Sequence, residues 1–360
     1  MSVLSLTLLS IALTGQPTQA AKHELRAGVR AGSVLNDDFN FKITTIQPNL
    51  FYRYTSESAF RVSTLIGALY NRVDLAQAVS PEWSLLGGLE TFITISGDDP
   101  PRIDGKDLNE YKYQAHRFPV YIGAQWASRE TNLPLEIRGL WETDYFTTYD
   151  ESKDARFVKP NFKWETGPYV RIRLGTGGGS ELTDKGHRAL MISSYRFRMG
   201  NDPWGATSFL RDPDRFFKGS LGFATNHQLS DVAWVGLKAQ GSYVSNADRV
   251  NAIRSMSYHQ ESEGFGTADE RTDRAASAEL GLRYFISPTL VVKPFGHGVV
   301  YREITPTHFR NGRGAGAGLK LAGRNWESFN WEVQYANLFG TRKDKTVLHH
   351  LRLGLSYQFM

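Results

Sequence analysis

Residues that could do chemistry are sought where acids, histidines and hydroxyls crowd together. Ser257-Tyr258-His259-Gln260-Glu261-Ser262-Glu263 offers a nucleophile, a base and acids, the set that a barrel enzyme acting on lipids would use. Neighbours on an extended chain point to opposite faces, however, and a long loop would not shield a nucleophile, so no catalytic residue is assigned there. His349-His350 offers imidazoles to a metal, but adjacent strand positions diverge in the same way. The acids Asp98, Asp99, Asp104, Asp107 and Glu110 lack the spacing of an EF-hand calcium loop. Gly175-Thr176-Gly177-Gly178-Gly179 has no lysine to hold a phosphate and reads as a flexible turn. The zinc-protease and serine-hydrolase motifs are both missing, so no metal, no cofactor and no enzymatic activity are expected.

A second constellation is more regular. Arg26, Arg30, Arg171, Arg173, Lys320 and Arg352 each sit between apolar neighbours, on the polar side of an alternating segment. In a closed barrel they would line the lumen and favour anions. Glu24, Glu136, Glu142, Glu279 and Glu332 lie on polar faces too, and pairing with them would simply fill the interior. Without strand pairing both outcomes stay open.

The elements that would position these residues are strands. A period of two starts at Leu25, Ala27, Val29 and Ala31. It returns at Val62 to Tyr70, Trp83 to Ile95, Phe118 to Trp126, Leu135 to Tyr145 and Val170 to Leu174. Later runs are Phe217 to Phe223, Val235 to Tyr243, Ala278 to Ile286, Ala315 to Leu321 and Phe329 to Phe339. Such runs exceed the usual soluble strand and suit tilted strands crossing a hydrocarbon layer. Aromatics gather near their ends, at Phe51-Tyr52-Arg53-Tyr54, Trp141 with Tyr145 and Phe146, Tyr284-Phe285, and Trp326 with Trp331, as interfacial girdles do. Short connections such as Ser56-Glu57-Ser58, Thr131-Asn132 and Ser287-Pro288 alternate with long polar ones, Gly97 to His116, Gly200 to Asp214 and Asn246 to Arg274.

Composition agrees. The 360 residues are 41% hydrophobic and 22% charged, with 34 glycines, and the mean hydropathy of -0.38 excludes a bundle of apolar membrane helices. The net charge of +5 is dispersed rather than blocked, so no nucleic-acid partner is expected. The absence of cysteine removes disulfides and a lipoprotein anchor. Val3 to Leu13 is an apolar run too short to span a bilayer, and Thr18-Gln19-Ala20 follows with small residues. Residues 1–20 are expected to be a cleaved signal peptide and residues 21–360 a single domain exported to the outer membrane of a Gram-negative envelope.

At the other end Leu351, Leu353, Leu355, Tyr357 and Phe359 alternate without interruption. This resembles the C-terminal insertion signal that outer-membrane barrels present to the barrel insertion machinery. The expected fold is all-β, a closed antiparallel transmembrane β-barrel of about 14 to 16 strands. A first count gives fifteen. Both termini of such a barrel normally lie in the periplasm, which needs an even number; a hairpin at Thr166-Gly167-Pro168 makes sixteen but places the Gly97 to His116 segment on the periplasmic side.

Parts of the chain resemble the MipA/OmpV outer-membrane family. The resemblance rests on Arg26-Ala27-Gly28-Val29 leading to Gln47-Pro48-Asn49-Leu50-Phe51-Tyr52-Arg53-Tyr54, on Val244-Ser245-Asn246-Ala247-Asp248 before a long loop, and on Gly354-Leu355-Ser356-Tyr357-Gln358-Phe359. It implies a barrel with periplasmic murein enzymes as partners and brings no catalytic residues. The expected role is a passive, porin-like narrow pore or wall protein, in contact with outer-membrane lipid and passing small solutes. A scaffold for peptidoglycan-remodelling enzymes, a lipid-acting barrel enzyme and a soluble periplasmic domain are the alternatives.

Overall fold

Alternation of this kind hides one face of every strand and bares the other, and a sheet that closes on itself gives both faces a home. The computed structural model describes residues 21–35, 41–67, 70–92, 102–103, 106–107, 114–128, 134–149, 157–158, 163–176, 182, 186–199, 203, 205–206, 214–247, 253–254, 271–304, 308–325, 329–339 and 347–359. Sixteen long antiparallel strands form the wall. In chain order they are β1 (Lys22–Leu35), β2 (Phe41–Thr55), β3 (Phe60–Gly67), β4 (Tyr70–Ala78), β5 (Trp83–Phe92), β6 (Gln114–Ala127), β7 (Leu135–Tyr149) and β8 (Trp164–Gly175). The second half comprises β9 (Arg188–Met199), β10 (Arg215–Ser230), β11 (Ala233–Val244), β12 (Arg271–Ser287), β13 (Leu290–Ile304), β14 (Phe309–Asn325), β15 (Phe329–Phe339) and β16 (Val347–Phe359). Each strand pairs with the next, and β1 closes onto β16 from Leu25↔Phe359 to Leu35↔His349. No edge is left to aggregate. Among the described residues no helix is long and apolar enough to cross a membrane; crossing by strands is a separate matter.

The outer face is apolar and bare. Ile122, Leu221 and Leu280 are exposed to 70%, 61% and 58%, a band that water would not tolerate but acyl chains would cover. Aromatics ring it at both ends. Near the chain termini His23 packs against Tyr54 and its Nδ1 lies 3.0 Å from the Tyr52 hydroxyl. Toward the opposite end Tyr145 stacks on Trp164, with Tyr195 edge-on to Phe197.

Connections 56–59, 79–82, 128–134, 231–232, 288–289 and 326–328 lie at the end that holds both described termini, and connections 93–113, 150–163, 200–214 and 245–270 at the other. Two expectations are corrected. Thr166-Gly167-Pro168 is no hairpin: it lies within β8, whose ladder to β7 runs unbroken through Gly167↔Glu142 and Pro168↔Trp141. Only the ladder to β9 lapses there, as it must where proline has no N–H and Gly167 adopts φ +155°. The additional strand is β4 instead, because Val62 to Tyr70 is not continuous: β3 ends at Gly67 and β4 returns from Tyr70. This places the Gly97 to His116 stretch on the long-loop side.

Candidate functional site in the barrel lumen

Register decides which side chains face inward. Partners across an antiparallel ladder share a face, so Glu279↔His297, Lys293↔Lys320 and Lys320↔Gln334 all lie on the inner face of β12 to β15. This part of the wall is closely filled. The Glu279 carboxylate, 1% exposed, accepts from Lys293 Nζ at 2.8 Å and lies 4.0 Å from Lys238 Nζ. Glu303 holds Arg310 at 2.9 Å, and Glu332 holds Lys320 at 3.2 Å. His297 Nε2 donates to the Asn337 carbonyl at 2.9 Å. Inward glycines on β14 make room for the large side chains of β13: a Cβ at Gly312 would enter the Tyr301 ring, and one at Gly318 the Phe295 ring.

The wall of β1 to β4 is wetter, whereas Asp144 on β7 and Glu165 on β8 are buried. Arg72 and Asp74, 2.7 Å apart, keep 31% and 33% of their side-chain surface, against 4% for Lys293. Arg72 also reaches Glu90 at 3.2 Å, and Asp74 accepts from the Tyr121 hydroxyl. Asp144 pairs with Arg117, Glu142 with Arg196, and Glu165 with Arg198 at 3.1 Å. Two cations of β7 and β8 face each other. Arg171 is registered opposite Arg138, and Arg138 takes Gln125 Oε1 at 2.8 Å with Glu136 at 3.7 Å.

The six basic positions singled out by parity fall on inner-face rows. Arg26 pairs with Glu24, which it shares with Arg53 at 3.1 Å. Arg30 is registered against Gln47 and Gly354, and Arg352 against Gln334 and Gly32. Arg171 and Arg173 oppose Arg138 and Glu136, while Lys320 is buried on Glu332. Their register positions are spread over β1, β8, β14 and β16. Leu351, Leu353, Leu355, Tyr357 and Phe359 occupy the outward row of β16, paired with outward positions of β1 and β15. His349 and His350 alternate along β16 and so fall in opposite rows. Residues 1–20, the Ser257 to Glu263 stretch, and Asp98, Asp99, Asp104 and Glu110 lie outside the described residues. Among the described residues no group of three His, Asp or Glu could hold a metal.

Parity analysis passed over Arg53, Arg61, Arg72 and Arg138, although Arg138 lies between the outward Ile137 and Gly139 and had the same signature. It also passed over Leu182. This residue, in the connection from β8 to β9, is 8% exposed and clusters with Val291 and Ala322 of the β13 and β14 inner wall, with Phe285 packed alongside. The ends of that connection are fixed by Gly175 N donating to the Pro134 carbonyl at 2.8 Å and Asn226 Nδ2 donating to the Gly186 carbonyl at 3.1 Å. At the long-loop end Ala247 packs inward on Phe216, Val244 and Ile304.

Solved structures share this architecture. The chain resembles BamA from Haemophilus ducreyi lacking POTRA domains 1–3, with a TM-score of 0.60 at 11% identity over 95% of this chain and 71% of that one. The fold is that of an outer-membrane barrel. CdiB from Acinetobacter baumannii gives 0.55 at 12% identity over 92% of this chain and only 60% of its own, so the chain spans less than two thirds of that protein. The outer-membrane protein OprD from Pseudomonas aeruginosa aligns over 97% and 96% of the two chains at 10% identity, but with a TM-score of 0.47. No family model and no curated protein matches the chain.

Proposed function

We propose that this protein is a passive channel of the outer membrane whose narrow lumen favours small anions. The observation that carries the reading is the inner wall of β1 to β4, where Arg26, Arg53 and Arg72 keep 53%, 42% and 31% of their side-chain surface and the first two share the one carboxylate of Glu24. Water-filled barrels with such a lining lower the barrier for anions and raise it for cations. The export signal ending at Ala20 and the insertion signal in β16 belong to this proposal, since a channel must first be delivered and inserted. No catalytic residue is assigned, and the role needs none.

Leu182 favours a second reading. Its packing on Val291 and Ala322 at the periplasmic end suits a barrel kept shut, and a shut barrel could act as a MipA/OmpV-type scaffold for peptidoglycan-remodelling enzymes. The two readings differ in planar bilayers. Discrete single-channel openings from the refolded mature chain support the channel; heat-modifiable, inserted protein that never conducts rejects it in favour of the scaffold.

A further inference from the structure

Two arginines stand directly opposite each other inside the wall, Arg171 on β8 and Arg138 on β7. Like charges placed so across a ladder repel. A third, Arg61 on β3, lies within electrostatic reach of Arg138 and Arg53 as well as of Asp74 and Glu136, and Arg72 adds its field at Arg138. The acids in this volume are engaged, Asp74 by Arg72 at 2.7 Å and Glu136 by Arg138 at 3.7 Å. Among the described residues no carboxylate lies within ion-pairing distance of Arg61 or Arg171. The Nε–H groups of Arg53, Arg138 and Arg171 are shut off from solvent without an acceptor among the described residues. A buried donor left unmade is costly. On β12, β13 and β15 the carboxylates of Glu279, Glu303 and Glu332 each hold a cation.

We infer that Arg61, Arg138 and Arg171 form a binding site, in the periplasmic half of the lumen, for a compact oxyanion such as a phosphate or carboxylate group. Planar guanidinium forks match the paired oxygens of such groups, whereas chloride offers one spherical acceptor and no fixed geometry. The unmade Nε–H bonds would be satisfied by the bound oxygens, and the like-charge repulsion between Arg138 and Arg171 would be relieved. The proposal rests on the channel reading only for how solute arrives.

The test is calorimetric titration of the refolded full chain in detergent, at constant chloride, with inorganic phosphate and separately with acetate. Saturable binding of either supports the site, and the tighter one names the group recognised. Arg61→Gln and Arg171→Gln should each weaken binding by roughly tenfold or more, the loss of a charge-assisted contact. Arg26→Gln, at the rim, should leave it unchanged. Both cluster variants remove a cation with no paired carboxylate, so folding should persist, checked by heat-modifiable migration. No saturable heat in the folded wild type, or equal affinities in all three variants, overturns the inference. A barrel that binds without conducting removes the channel reading alone; one that conducts without binding removes the site alone.

Discussion

Replacing Glu279 by glutamine should destabilise the barrel far more than the same change at Glu24, although both carboxylates face inward and both serve two cations. Glu279 is 1% exposed, with Lys293 and Lys238 only 4% and 10% exposed beside it. Removing its charge keeps the shape but takes away the carboxylate that two buried ammonium groups share, a loss of about 3–5 kcal/mol. Glu24 serves Arg26 and Arg53, whose side chains are 53% and 42% exposed, and solvent screening limits that loss to about 0–1 kcal/mol. Urea titration of each refolded variant in vesicles, followed by heat-modifiable migration and tryptophan fluorescence, reads the difference as a shift in midpoint at constant slope. Adding Lys293→Met to Glu279→Gln should recover part of the loss, since the two positions are directly coupled. Equal, small shifts at both positions would refute the division into a dry wall of β11 to β15 and a wet wall of β1 to β4.

Three further outcomes follow from the same geometry. Leu280→Arg places a charge on an outward position exposed to 58% in the apolar band and should cost about 2–4 kcal/mol of stability in vesicles, measured by the same titration. Gly318→Ala drives a Cβ into the Phe295 ring; the overpacking should cost about 1–3 kcal/mol, and adding Phe295→Leu should recover it. Leu182→Asp should abolish its packing on Val291 and Ala322 and raise single-channel conductance over wild type, with unchanged conductance arguing against that contact narrowing the mouth.

How far the sequence showed this architecture depends on local signals. Over Ala276 to Ile286 of β12 and Leu351 to Phe359 of β16 every outward position is apolar and the barrel is plain to see. On β13 the inner face carries Val291, Phe295, Val299 and Tyr301 while Pro294, Gly296 and Gly298 take outer positions, so the alternation loses its contrast. Ala68-Leu69 carries no turn residue, which makes β3 and β4 look like one strand, whereas Gly167-Pro168 carries a turn signal inside β8. The strand count was thus reachable only with the wrong hairpin. Lumen-facing parity was readable from single strands, but the meeting of Arg138 with Arg171 depends on register between strands. The approach of Arg61 depends on closure of the wall. Leu182 lies outside any periodic segment, and only the folded connection brings it to β13.

The central claim, an open lumen that favours anions, is tested most directly by the reversal potential of the refolded mature chain in a planar bilayer under a potassium chloride gradient. The account predicts discrete openings with a reversal potential of the sign set by chloride. A potential of the opposite sign, set by potassium, would contradict it.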